Sequence, residues 1–124
     1  DMINGYRRLA LHVGKRALYT APDPFGSVIA DVQITPMGVG KSVSTYVAAC
    51  EKVFKRHNLI CQLHAYGTNV EGDWEGVMVA LKECHVVLHE MGAPRVSTAV
   101  KICTRIDKSN TISETIQSVA GKIT

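Results

Sequence analysis

The chain contains no apolar run that approaches the roughly 20 residues needed to cross a bilayer, so a membrane-spanning segment is not expected. It also lacks a C-x-x-C pair and any histidine at zinc-finger spacing, which removes the usual sequence pattern of a structural zinc site. Basic residues are scattered rather than gathered in a stripe with aromatics, and the formal net charge is only +3. The composition therefore predicts a soluble protein that binds neither nucleic acid nor a membrane.

The four cysteines are widely separated, and each lies inside an apolar pattern: Cys50, Cys61, Cys84 and Cys103. Free cysteine packs as a small hydrophobic residue, so a reducing compartment accounts for all four without disulfides or metal. We expect a cytoplasmic protein, or one of the mitochondrial matrix. With 124 residues, 46% of them hydrophobic, the chain has enough apolar side chains for one compact domain.

Residues 1–27 differ from the rest, because basic residues such as Arg7, Arg8 and Arg16 alternate with apolar ones and no acid occurs between Met2 and Pro22. This composition is typical of a mitochondrial transit peptide, and it also suits a basic arm that packs on a folded domain. A Pro- and Gly-rich cluster at 22–27 ends the segment. We therefore predict a basic N-terminal extension, a leader or an arm, followed by one domain over 28–124.

The pattern beyond this extension predicts seven elements. In chain order they are a strand over 28–35, a helix from a Ser42 cap to Asn58, a strand over 59–66, a short strand over 70–72, a helix from Asp73 to Gly92, a strand over 95–105 and a helix opened by a Thr111–Glu114 capping box. The order βαββαβ with an extra C-terminal helix predicts an α+β, ferredoxin-like sandwich. Two helices should cover one face of an antiparallel sheet and leave the other face open.

Polar residues should occupy that open face: Asp31, Gln33, Thr35, Gln62, His64, Tyr66, Ser97, Lys101 and Arg105. A small domain with such a face commonly covers it with another subunit, and a polar chamber between two sheets is a suitable ligand site. Self-association and a ligand site at this face are therefore expected together.

Glu71 follows the turn-forming run Gly67-Thr68-Asn69 and precedes a helix start. We interpret it as a carboxylate on a short connection between two rigid elements, with no structural partner, and hence as a binding group. The alternative is an ordinary solvated loop acid beside an Asp73 helix cap.

Two motifs resemble other kinds of site. Gly38-Val39-Gly40-Lys41-Ser42 follows a strand and opens a helix, yet Thr35 stands where a phosphate-binding P-loop has its first glycine, so nucleotide hydrolysis is disfavoured and only a simple anion remains plausible there. His85 and His89 have chelating spacing on one helix, but no third ligand accompanies them, so packing and solvation are the favoured roles. Because no catalytic triad can be assembled from spacing, we expect no enzyme activity, no metal and no cofactor.

Several blocks together resemble one family, the thiamine-binding protein family. They are Asp31 through Pro36-Met37-Gly38, Ser42-Val43-Ser44 with Tyr46-Val47, Gly67-Thr68-Asn69-Val70-Glu71-Gly72-Asp73-Trp74, His89-Glu90-Met91-Gly92-Ala93-Pro94-Arg95-Val96, and Arg105-Ile106-Asp107-Lys108. The resemblance extends over about 28–124. It implies a ferredoxin-like fold, homodimers that pair into homotetramers, and binding of thiamine or its hydroxymethylpyrimidine part.

Thiamine has a positively charged thiazolium and an aminopyrimidine edge, so its pocket needs a carboxylate, hydrogen-bonding groups and a flat aromatic neighbour. The chemistry suggests Glu71 and Asp31 for the charge and Tyr66 or Trp74 for stacking, although Trp74 falls on the helix stripe and is better explained as core. The residues that could read the pyrimidine edge are Gln33, Ser44, His64 and Thr68, and Lys101 completes the candidate set.

The sequence thus predicts a non-catalytic, homo-oligomeric binding protein for thiamine or hydroxymethylpyrimidine. Two alternatives stay open: an enzyme that uses His64, Glu71 and Lys101 as acid–base groups at a subunit interface, and a structural assembly module whose polar sheet face mates with itself.

Overall fold

The computed structural model describes residues 23–123 and confirms the α+β, ferredoxin-like fold. The sheet has four antiparallel strands in the order β2-β3-β1-β4. The strands are β1 (Val28–Met37), β2 (Ile60–His64), β3 (Gly67–Gly72) and β4 (Arg95–Cys103), and the helices are α1 (Ser44–Arg56), α2 (Trp74–Glu90) and α3 (Ile112–Ala120).

The core lies between the sheet and the helices α1 and α2. Alternation along β1 sends Val28, Ala30 and Val32 to the helix side, where all three are buried. Helical spacing brings the apolar stripe of α1 onto the same layer, with Val53 and Phe54 almost fully buried. Helix α2 contributes Val77, Ala80, Leu81, Cys84 and Leu88. The helix layer thus accounts for one face of the sheet, as the sequence predicts.

Some helix ends lie at the residues that the sequence predicts, and one helix start does not. Asn58 adopts a φ of 56°, the left-handed stop expected after α1, and the Thr111 side chain accepts a 3.0 Å hydrogen bond from the Glu114 N–H at the start of α3. The expected Ser42 cap is wrong, because α1 begins at Ser44 with Val43 as the capping position. A valine has no side-chain acceptor, so this helix start has no side-chain cap.

The segment around Gly67 is a strand rather than the predicted turn. β3 runs from Gly67 to Gly72 and pairs with both β1 and β2 along its length. At Gly67 the backbone approaches β1 so closely that a Cβ would collide with the Val32 carbonyl oxygen. Glycine is favoured there because this contact is with backbone, which can move aside only at a cost.

The other face of the sheet is only partly open, which corrects the expectation of a fully uncovered face. Helix α3 returns to β3 and covers one end of that face through Ile112, which is buried. The remaining apolar positions of α3, including Ile116 and Val119, are exposed. The uncovered end of the face therefore keeps its polar side chains, beside an apolar helix surface.

Residues 23–123 contain no helix long and apolar enough to cross a membrane. The basic extension assigned to residues 1–27 falls mostly outside the described part of the chain. Its last residues already contact the domain, since the Phe25 ring packs against Trp74 with centroids 5.7 Å apart.

Candidate functional site

A cavity of about 310 Å³ lies between α1 and the sheet, near the turn that joins β2 to β3. We call it the helix-side cavity. The lining of this cavity is largely apolar. The lining residues are Val32, Gln33, Ile34, Thr35, Pro36, Val43, Val47, Cys50, Glu51, Phe54, Leu63, His64, Ala65, Tyr66, Gly67 and Thr68. A concave, mostly apolar space with a few polar groups is the usual form of a small-molecule site.

The polar centre of this cavity is a pair of side chains, Glu51 from α1 and Thr68 from β3. The Thr68 hydroxyl is buried and donates a hydrogen bond to Glu51 Oε1. This leaves Glu51 Oε2 without a hydrogen bond to any side chain or backbone group of residues 23–123, on the wall of a cavity. A half-buried carboxylate with a free oxygen can accept from an amino group or face a cation.

The sequence does not distinguish Glu51 from the other charged residues of an amphipathic helix. The position of Glu51 in the sequence does indicate closeness to the core, because Glu51 lies four residues after Val47 and three before Phe54, at the border of the apolar stripe. In the structure Glu51 is half-buried at this border, and its carboxylate accepts a hydrogen bond from Thr68. Thr68, by contrast, is among the residues that the sequence predicts to read the pyrimidine edge, and it lines the cavity.

A second group of predicted residues meets on the open face. The Tyr66 N–H donates to His64 Nδ1 at 3.2 Å, so the imidazole carries its proton on Nε2, which donates to Asp31 Oδ1 at 2.7 Å. This contact spans β3, in which Gly67 is the strand partner of His64. Lys101 is the β4 partner of Asp31. Beside them lies a shallow depression of about 350 Å³, which we call the open-face depression, lined by Asp31, Gln33, Tyr66, Ala99, Val100 and Lys101.

Glu71 has a structural partner, so the expectation of a loop acid without one is wrong. Its side chain is only 6% exposed, it belongs to β3, and Oε1 accepts a 2.7 Å hydrogen bond from the Ile112 N–H. Ile112 is the first residue of α3, where backbone N–H groups lack intrahelical partners and the helix dipole favours an anion. The carboxylate therefore fastens α3 onto the sheet, and it lines none of the cavities described above.

The predicted site residues thus separate into groups. Gln33, His64, Tyr66 and Thr68 line the helix-side cavity. The strand register sends the Gln33 and His64 side chains to the open face, so their backbones, rather than their side chains, border the cavity. Ser44 lies outside it, at the start of α1, in an adjoining groove. Asp31 and Lys101 belong to the open face, and Glu71 lies apart from both.

The histidine pair on α2 makes separate contacts, in keeping with the packing role favoured above. His85 Nε2 shares a 2.6 Å hydrogen bond with Thr98 Oγ1 beneath the sheet, and His89 Nδ1 donates to the Ala93 carbonyl at 2.8 Å. Across residues 23–123 no three His, Cys, Asp or Glu side chains come close enough together to hold a metal ion.

Comparison with known proteins places this geometry in a family. The model of the thiamine-binding protein family matches residues 30–120. The chain belongs to the thiamine-binding protein family. Among curated relatives, the UPF0045 protein sll0230 of Synechocystis is 47% identical over 93 residues, covering 75% of this chain and 77% of that protein. The UPF0045 protein MJ1052 of Methanocaldococcus jannaschii is 41% identical over 93 residues, 74% of this chain and 91% of the relative.

Solved structures agree with this family fold. The crystal structure of MJ1052 superposes with a TM-score of 0.72 at 38% identity, covering 76% of this chain and 96% of that one. A Thermotoga maritima protein, whose name assigns it provisionally to thiamine biosynthesis or salvage, superposes with a TM-score of 0.66 at 18% identity, covering 75% and 98% of the two chains. At that identity the likeness concerns the fold alone.

Proposed function

We propose that this member of the thiamine-binding protein family is a non-catalytic binding protein for thiamine or its hydroxymethylpyrimidine part, and that the helix-side cavity holds the pyrimidine. The observation that carries the proposal is the Glu51–Thr68 pair at the polar centre of an otherwise apolar cavity. The volume of about 310 Å³ lies at the small end of the range for ligand pockets, which suits a ligand with one or two rings.

The chemistry of the ligand matches the pair. An aminopyrimidine offers amino hydrogens and ring-nitrogen acceptors on one edge, and the free oxygen of Glu51 can accept from the amino group. Apolar side chains such as Val47 and Phe54 can contact the ring faces. The thiazolium would then lie toward the cavity mouth, where the Glu51 carboxylate offsets its charge and Tyr66, 80% exposed at the β2–β3 turn, offers a ring for stacking.

The test is calorimetric titration of the full chain with thiamine and with hydroxymethylpyrimidine. Glu51→Gln keeps the shape of the side chain and removes its charge, so a charge-assisted contact of about 1.5–3 kcal/mol should be lost. Affinity for both ligands should fall by roughly one to two orders of magnitude, at ~1.4 kcal/mol per decade. Glu90→Gln, an exposed acid at the end of α2, is the matched control and should bind as the wild type does.

Unchanged affinity in Glu51→Gln would reject the helix-side cavity as the ligand site. The open face offers the competing position, so Asp31→Asn belongs in the same titration. A loss of affinity in Asp31→Asn with none in Glu51→Gln would move the site to the depression around Lys101.

We further propose that the protein is a homo-oligomer, a dimer that pairs into a tetramer. Three features support this: β2 and β4 are edge strands, the sheet face around Asp31 is uncovered, and α3 exposes Ile116 and Val119. Light scattering at micromolar concentration should give a mass above that of the monomer. Val119→Asp should lower that mass, whereas a wild-type protein that stays monomeric would contradict the proposal.

The absence of catalysis is part of the proposal and has a geometric basis. The alternative acid–base set needs His64, Glu71 and Lys101 at one point, but Glu71 is buried under α3 and bonded to the Ile112 N–H. Screening for turnover of thiamine and its precursors checks this, and product formation that depends on His64 would favour the enzyme instead.

We also propose a cytoplasmic location, because the cysteines of residues 23–123 are all free, as a reducing compartment would keep them.

A further inference from the structure

A wide groove runs along the outer side of α1, with a volume of about 820 Å³. We call it the lysine groove. It is lined by Lys41, Ser42, Val43, Ser44, Val47, Ala48, Glu51, Lys52, Lys55 and Leu63. Ser44, Ala48, Lys52 and Lys55 recur at helical spacing, so one side of α1 forms a wall of the groove.

The groove carries uncompensated positive charge. Lys41, Lys52 and Lys55 form no ion pair within the described part of the chain, where the ion pairs involve other residues. The one acid on its wall, Glu51, offsets at most one of the three lysine charges, so the groove keeps a net positive charge. Three lysines that line one groove attract an anion, and the Ser42 and Ser44 hydroxyls, 3.2 Å apart, add hydrogen-bonding groups.

The lysine groove adjoins the helix-side cavity. The two share four lining residues: Val43, Val47, Glu51 and Leu63. A ligand whose ring occupies the cavity can therefore extend over this shared wall into the groove. A cationic ring in the middle of such a ligand would lie beside Glu51, and the far end of the ligand would lie beside the lysines.

We propose that the lysine groove binds the phosphate of a phosphorylated ligand, so that the site takes phosphate or diphosphate esters of thiamine in preference to the free alcohol. This proposal rests on the assignment of the helix-side cavity to the pyrimidine. The hydroxyethyl arm of thiamine projects from the thiazolium, on the opposite side from the pyrimidine, so its ester oxygens point away from the cavity. In this arrangement the pyrimidine lies in the apolar cavity and the cationic thiazolium lies beside the Glu51 carboxylate. The anionic phosphate lies beside the lysines.

The experiment titrates the full chain with four probes: thiamine, thiamine monophosphate, thiamine diphosphate and inorganic diphosphate. Exposed ion pairs are individually weak, so three lysines together should give the diphosphate ester about a tenfold gain in affinity over thiamine. The combined variant Lys41→Ala, Lys52→Ala and Lys55→Ala should lose this gain and keep the affinity for thiamine. Lys82→Ala, an exposed lysine on α2, is the matched control.

Ionic strength provides a second measurement. The Debye length falls from about 30 Å at 0.01 M salt to about 3 Å at 1 M, so the preference for the esters should shrink with salt while thiamine binding changes less. Thiamine binding with no preference for either ester would overturn the phosphate site and leave the proposed function standing. A preference for the phosphate esters that persists in the triple lysine variant would overturn the phosphate site as well. Failure of thiamine and of both esters to bind would instead overturn the proposed function.

Discussion

Glu71 provides the sharpest test of how this fold is held together. Its carboxylate is 6% exposed and accepts a 2.7 Å hydrogen bond from the first N–H of α3. Glu71→Ala removes the acceptor and leaves a buried N–H unpaired, which typically costs about 1–3 kcal/mol, and the lost side-chain packing adds to this. Glu71→Gln keeps an acceptor oxygen but loses the charge that complements the helix N-terminus, a contribution of about 0.3–2 kcal/mol.

Urea denaturation of the three proteins should therefore rank stability as wild type, Glu71→Gln and Glu71→Ala, in descending order. In thermal melts each kcal/mol lowers the midpoint by roughly 4–8 °C for a domain of about 100 residues. Glu90→Ala serves as the control, because that acid is exposed at the end of α2 and should change stability little. A Glu71→Ala protein as stable as the wild type would refute the role of Glu71 in fastening α3.

The same Glu71 variants distinguish an effect on stability from an effect on ligand affinity. Glu71 lines neither the helix-side cavity nor the open-face depression, so the folded Glu71→Gln protein should retain its affinity for thiamine. This reverses the expectation from sequence, in which Glu71 is a binding group with no structural partner. Loss of binding without loss of stability would restore Glu71 as a ligand residue.

Two further predictions follow from close contacts and from burial. Gly67→Ala should strongly lower the urea midpoint, because a Cβ there meets the Val32 carbonyl and β3 must shift, and a wild-type midpoint would contradict that contact. Burial, with a smaller contribution from the Glu51 charge, raises the pKa of the Cys61 thiol to about 11, so its alkylation by iodoacetamide should be slow at neutral pH and should accelerate up to about pH 11. The exposed Cys103 is the internal control in peptide mapping, and equal rates for the two thiols at neutral pH would contradict the shift.

The fold could be predicted from sequence because its determinants are local. Alternation over β1, the left-handed stop at Asn58 and the Thr111 cap each act within a few residues, and each is present in the structure. The prediction failed at Gly67, where a run rich in turn formers is a strand. Pairing of β3 with two neighbours outweighs local preference there, and sequence does not show which strands will flank a segment.

The candidate site could be predicted less well, because its contacts are long-range. The hydrogen bond from Thr68 to Glu51 joins residues 17 apart, and the one from the Ile112 N–H to Glu71 joins residues 41 apart. Both depend on how helices pack on the sheet. The sequence therefore predicts a binding role for the acid that fastens α3, and it does not distinguish the acid that lines a cavity.

The two faces of the sheet can serve different purposes without interfering. A second copy of the chain that covered the open face would bury Asp31 and Lys101, whereas the helix-side cavity and the lysine groove lie across the sheet, beside α1. Within residues 23–123, only Gln33 and Tyr66 border both the cavity and the open-face depression, at the end of the sheet near the β2–β3 turn. The β2–β3 turn is therefore the place where the cavity and the open face are in contact. Because the Tyr66 N–H also orients His64 toward Asp31, a ligand that displaced the turn would alter the open face where a partner would bind.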